Sequence, residues 1–135
     1  MRDQRGFTLL ELLMVVIIIA ILASIALPQY LRVAERARAG EALTVLAAVR
    51  SSELRYKAND PNGAFTIDLN LLDTSIPGFG TGPDAVPLSP NWTYWSDATI
   101  AAASRSGGAY GGELHVDLNG SASCATNPVW GLTAC

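Results

Sequence analysis

From Phe7 to Leu27 the chain runs apolar with a single charge, Glu11, and the run ends at Pro28. A helix rises about 1.5 Å per residue, so this stretch is about 31 Å long, close to the thickness of a bilayer core. Before it lies Met1 to Gly6, short and polar, with Arg2 and Arg5. A secretory signal would carry a shorter apolar stretch and a small-residue exit. Here Ala23-Ser24-Ile25-Ala26 continues directly into Leu27-Pro28. The segment therefore reads as a single-pass anchor. Arg2 and Arg5 have no basic counterpart on the other side until Arg32, which places the N-terminus in the cytoplasm and the rest of the chain outside. A plain anchor does not explain Glu11, because a carboxylate at that depth is costly and marks function by default.

Beyond Pro28 the pattern turns amphipathic. Ala42, Val45, Leu46, Val49 and Tyr56 fall on one helical stripe. Glu53 and Lys57 stand at i,i+4 in the favourable order. Glu35, Arg36, Arg38, Glu41, Arg50 and Arg55 are expected on a solvated face or facing neighbouring subunits. Asn59-Asp60-Pro61-Asn62-Gly63 is a stop signal. These signals predict one helix from Phe7 to about Ala58, kinked at Pro28, which removes a helix hydrogen bond.

Phe65 to Asp73 reads as a short helical turn or extended segment closing onto that helix. Ile76 to Pro90, rich in Gly and Pro, reads as a surface loop. Strands are expected at Trp92 to Trp95 and Thr99 to Arg105, with a turn at Gly107-Gly108. Glu113 to Leu118 alternates with period two, Asn119-Gly120 signals a hairpin, and Ser121 to Cys124 begins the return strand. The fold class is α+β: a long N-terminal helix with a small antiparallel sheet of three or four strands laid on its second half.

Composition narrows this picture. With nine cations against twelve acids and a net charge of −3 in 135 residues, no basic patch exists, so no specific nucleic acid is expected as a partner. A head as small as the one after Asn59 buries limited apolar surface and needs a staple or a partner. Cys124 and Cys135, with Pro128 and Gly131 between them, read as one small disulfide-closed loop. Two cysteines and the sole histidine, His115, make a poor ligand set, so no metal is expected. A disulfide implies an oxidising compartment, and a loop of this size contributes about 3 kcal/mol.

Gly6-Phe7-Thr8-Leu9-Leu10-Glu11, the apolar helix to Ala26 and then Leu27-Pro28 closely resemble the N-terminal segment of type IV pilins and pseudopilins. At motif level the likeness covers roughly residues 5 to 38. It implies that a membrane prepilin peptidase cuts between Gly6 and Phe7 and methylates the new Phe7 amine. Glu11 would then pair with the Phe7 amine of a neighbouring subunit and set the axial register of assembly. It implies as partners other copies of the chain in a homopolymer, the peptidase, the pilus or secretion assembly machinery, and the inner membrane before assembly. The precursor would sit in the inner membrane and the product in an extracellular filament. The chain would divide into a leader (1–6), a transmembrane and assembly helix (7–28), the amphipathic half of the same helix (29–58), a connecting loop region (59–90), and a sheet with a C-terminal disulfide loop (91–135). One departure is Ala20, where family members often carry Gly. Alanine is the stronger helix former, so melting of the helix between this position and Pro28 is expected to be harder.

Other chemistry is set aside. His115 lies on the polar phase of its strand, and Asp117 beside it lacks a nucleophile to complete a catalytic set. Gly78-Phe79-Gly80-Thr81-Gly82 lacks the strand and helix that a phosphate loop requires. Asp60, Asn62 and Asp117 suggest a calcium site, but turn formation explains the first two. Asn91-Trp92-Thr93 and Asn119-Gly120-Ser121 are glycosylation-like triplets, and the hairpin accounts for Asn119 without a sugar. Trp92, Tyr94 and Trp95 read as sheet packing. No cofactor and no enzymatic activity are expected. The leading function is a major pilin. Its rivals are a pseudopilin of a type II secretion system, a minor pilin and, from another class, a monomeric membrane-tethered binding module.

Overall fold

The computed structural model describes residues 6–74, 76, 92–105, 110–120 and 123–135. Arg2, Arg5, most of the expected 76–90 loop, Asn91, the Gly107-Gly108 turn and Ser121 lie outside the described residues. The elements are α1 (Leu9–Asn59), a 3-10 turn (Leu69–Leu71), β1 (Thr93–Ser96), β2 (Ile100–Arg105), β3 (Gly112–Asp117), β4 (Ser123–Ala125) and a second 3-10 turn (Pro128–Trp130). A long helix with a small four-stranded antiparallel sheet is the α+β, type IV pilin-like arrangement that the hydrophobic pattern and the resemblance predict. The chain divides into two compact units, residues 1–34 and 35–135.

In the first unit, α1 begins at Leu9, two residues later than the pattern suggests, because Gly6 to Thr8 lie outside the helix and Thr8 caps it. α1 continues through Pro28 as helix. The large apolar side chains from Leu9 to Val33 are all exposed; Ile17 keeps 50% of its surface and Leu22 keeps 61%. This is the segment of α1 that is long and apolar enough to cross a membrane.

The second unit has its own core. Ala39, Ala42, Leu46 and Val49 form the buried stripe of α1, and Val45 and Tyr56 flank it. The sheet order is β1-β2-β3-β4, every pair antiparallel, a plain meander. Alternation sorts its faces. Tyr94, Ala103, Leu114 and Ala125 lie in one row across the four strands and join the core with α1. The next row, Trp95, Ala102, His115 and Cys124, therefore lies on the opposite face. There Trp95 and His115 meet edge to face, ring centroids 6.1 Å apart, across Ala102, which is fully covered.

Two readings of the helix charges are corrected. Glu35 is not on a solvated face: it is 4% exposed and ion-paired to Arg38 and to Arg105 at the end of β2. A carboxylate placed there requires partners, and the sheet supplies one that sequence spacing cannot show. Glu53 does not pair with Lys57. It is fully buried, accepting hydrogen bonds from the Thr66 amide (3.0 Å) and the Ser96 hydroxyl (3.4 Å). Lys57 instead lies over the Phe65 ring, 4.2 Å from its centroid, and reaches the Asn119 side-chain oxygen at 3.3 Å. Burial pushes the Glu53 carboxyl above its ordinary value, against the two hydrogen bonds that lower it.

Past the helix, Asp60 accepts from the amides of Asn62 and Ala64 (2.9 and 3.1 Å), the expected stop. The following segment is fastened by Asp73, which takes a two-pronged bond from Arg55 (2.7 and 2.6 Å) and is paired with the Ser52 hydroxyl. Those bonds hold the Asp73 carboxyl well below the usual carboxylate range. On the strands, Trp92 and Tyr94 are buried while Trp95 is half-buried, and Trp92 packs on Trp130 with centroids 5.1 Å apart.

Candidate functional site

Three of the residues singled out by the sequence, Gly6, Phe7 and Glu11, lie at the start of α1. Gly6 and Phe7 precede the helix in exposed, non-helical backbone, and Phe7 keeps 87% of its surface. A Cβ on Gly6 would meet nothing within 4 Å, so packing does not require glycine there.

Glu11 has a local partner that the sequence reading passes over. Its Oε2 accepts from the Thr8 amide and from the Thr8 hydroxyl, each at 2.9 Å, while the Glu11 amide donates to Thr8 Oγ1 at 3.2 Å. This is a reciprocal capping box: each side chain satisfies the other's backbone donor at a helix start, where those donors otherwise lack partners. The spacing Thr8-x-x-Glu11 is the signal that identifies it. The structure brings Glu11 to Thr8. Among the described residues it forms no hydrogen bond between Glu11 and Phe7, whose nitrogen is here a peptide amide.

The geometry sets out what this end can do. The carboxylate is held at the first turn of the helix, where the aligned peptide dipoles favour a negative charge. Oε2 is engaged twice by Thr8. Around this fixed charge the helix presents only apolar side chains, and none of them has a partner within its own unit. Such a surface is stable in lipid or against apolar faces of other chains, and costly in water.

Pro28 lies inside α1 with Ala23, Ala26, Leu27 and Tyr30 exposed around it. Cys124 and Cys135 form a disulfide with Cα atoms 5.0 Å apart. Asp60 and Asp117 do not come together with other acids into a cation-sized cluster among the described residues.

The family described as "Prokaryotic N-terminal methylation motif" matches residues 1–27. The chain is 48% identical over 63 residues to a fimbrial protein of Moraxella nonliquefaciens, covering 47% of this chain and 39% of that one. It is 41% identical over 56 residues to the type IV major pilin protein PilE1 of Neisseria gonorrhoeae, covering 42% and 34%. A fimbrial protein of Pseudomonas aeruginosa is 44% identical over 52 residues, covering 38% and 34%. The similarity thus spans little more than a third of the length of these relatives. No solved structure gives a significant match. The chain carries the methylation motif, and its relatives by sequence are type IV pilins and fimbrial proteins.

Proposed function

We propose that this chain is the major structural subunit of a type IV pilus. The reading rests on one observation above the rest: a methylation motif over residues 1–27 leads into a helix whose large apolar side chains from Leu9 to Val33 are all uncovered. In this reading a prepilin peptidase removes residues 1–6 and methylates Phe7. Residues 7–28 hold the precursor in the inner membrane, then pack among copies of themselves as assembly machinery draws the chain into the extracellular filament. Residues 29–58 carry the head formed by the rest of the chain. Moving the helix from lipid to protein exchanges one apolar surrounding for another, so the transfer needs no change in its side chains. Gly6 supports the cleavage role: the fold does not need glycine there, whereas a protease approaches a backbone without a Cβ more easily.

Glu11 then has two partners in sequence. Before assembly it caps its own helix through Thr8. In the filament it receives the Phe7 ammonium of a neighbour, and a copy docked at the wrong height leaves both charges unpaired in an apolar core, which is strongly disfavoured.

The test is mass spectrometry and electron microscopy of sheared surface material, with Glu11→Gln and Glu11→Ala variants alongside. The mature chain should begin at methylated Phe7 and form the bulk of the fibres, and both variants should insert in the membrane yet yield few filaments. An intact precursor at the surface, or normal fibre yield from either variant, refutes the reading. A correctly processed chain found only in trace amounts makes it a minor pilin.

A further inference from the structure

The outer face of the sheet holds a second constellation. His115 on β3 is the direct cross-strand partner of Cys124 on β4. A ring nitrogen of His115 and the sulfurs of Cys124 and Cys135 all lie within 4.8 Å of one another. His115 and Cys124 are half-buried and Cys135 is exposed, so an ion can reach all three.

We propose that, in its dithiol state, the chain binds a thiophilic cation of the Zn2+ class through His115, Cys124 and Cys135. Every chain is made with thiols, so this state precedes closure of the disulfide. Zn2+ takes sulfur at about 2.3 Å and imidazole nitrogen at about 2.0 Å in a tetrahedral set, which puts the donors about 3.5–4 Å apart. Opening the S–S bond and moving the donors by one or two ångströms reaches that geometry.

Hydrogen bonds besides the disulfide also tie the C-terminal loop to β4. The Ala125 amide donates to the Thr133 carbonyl (2.9 Å), the Cys135 amide to the Ala125 carbonyl (3.4 Å), and the Thr133 hydroxyl to the Ser123 carbonyl (3.2 Å). Trp130, buried in the core, anchors the loop between the two cysteines. His115 is held on both sides: Glu113 Oε2 lies 3.0 Å from Nε2, and Trp95 meets the ring edge to face. A carboxylate on one imidazole nitrogen orients the ring and leaves the other for a metal, the usual arrangement around a ligating histidine. The fourth ligand would be water.

Binding releases the two thiol protons. Closing the disulfide excludes the ion: the two thiolates give two electrons to a disulfide-class oxidant, which takes up two protons to become a dithiol, and the cation leaves. Metal and disulfide are therefore alternative occupants of the same three side chains. The inference is separate from the assembly reading and holds for a monomer in detergent.

The test uses the full chain in detergent, reduced with a phosphine, desalted without oxygen and titrated with Co2+. The reduced chain should bind one Co2+ with a sulfur-to-cobalt charge-transfer band that Zn2+ abolishes, and the oxidised chain should give no band. His115→Ala should weaken binding more than about tenfold, and Glu113→Gln by about tenfold through loss of orientation. Near-UV circular dichroism of the buried tryptophans reports whether the reduced head stays folded. Absence of the band, equal affinity in His115→Ala, or loss of the tryptophan signal on reduction each overturns the proposal.

Discussion

Removing the Glu35 carboxylate tests the packing of the head most directly. Glu35 sits on α1 with 5% of its side chain exposed, bonded to Arg105, whose side chain is 16% exposed, and to the more open Arg38 at 44%. Truncation by Glu35→Ala leaves the Arg105 guanidinium largely buried with no carboxylate. Breaking a buried pair from one side costs about 3–5 kcal/mol, whereas exchanging both partners for apolar groups of similar size is often neutral or better. The Arg38 contact adds little, since that guanidinium can turn to water. For a domain of this size each kcal/mol moves the melting temperature by about 4–8 °C, so the variant should melt at least about 12 °C lower. The assay is thermal unfolding of the detergent-solubilised chain, followed by near-UV circular dichroism of Trp92 and Trp130, both buried in the head. The Glu35→Leu, Arg105→Leu double variant should recover most of the loss. A cost below about 1 kcal/mol for Glu35→Ala, or a double variant no better than the single, would show that the carboxylate and guanidinium are not the buried pair described.

Other outcomes follow from the same geometry. Glu53 binds its proton more tightly folded than unfolded, so its stabilising contribution is complete below 4.5, the ordinary glutamate value, and is lost as pH rises through the raised value. Urea midpoints measured at a series of pH values should flatten in that window in Glu53→Gln. Asp73 acts in the opposite direction: its contribution is present above 3.8, the ordinary aspartate value, and is lost as pH falls toward the depressed one, so Asp73→Asn should remove an acid-side transition. Ala98 holds a left-handed backbone, φ 65°, in the turn between β1 and β2; Ala98→Gly should raise stability by about 0.5–1 kcal/mol in urea titration, and a decrease would contradict the strain. Thr8→Ala removes one half of the capping box and should cost the first helical turn about 1 kcal/mol, read as faster amide exchange at Leu10 to Leu12 in detergent, while Thr8→Ser should restore protection.

What could be read in advance follows the physics of each signal. The apolar run to Pro28, the stop at Asp60 and the alternation of Glu113 to Leu118 each depend on local spacing, and each appears within two residues of its expected place. Glu35 and Glu53 mislead because charge suggests solvent, and their partners, Arg105, Thr66 and Ser96, are 70, 13 and 43 residues away in the chain. Leu69 and Leu72 are buried but Ile67 and Leu71 are exposed, a split set by how the 3-10 turn docks rather than by hydrophobicity. At the candidate site Glu11 stands out in the sequence by its cost in lipid. Its bond to Thr8 is equally legible in the Thr-x-x-Glu spacing, which places the two side chains one helical turn apart.

The middle of β2 has room for little more than methyl groups: Ala101 and Ala103 are closed in on the helix side and Ala102 is roofed by two rings on the other. Single-base changes in an alanine codon reach Gly, Ser, Thr, Pro, Val, Asp or Glu, and all but the first are bulkier. Mutational drift in these three codons therefore runs almost wholly toward overfilling. While the surrounding surface is free to vary, this short tract should stay nearly frozen in any lineage that keeps the head.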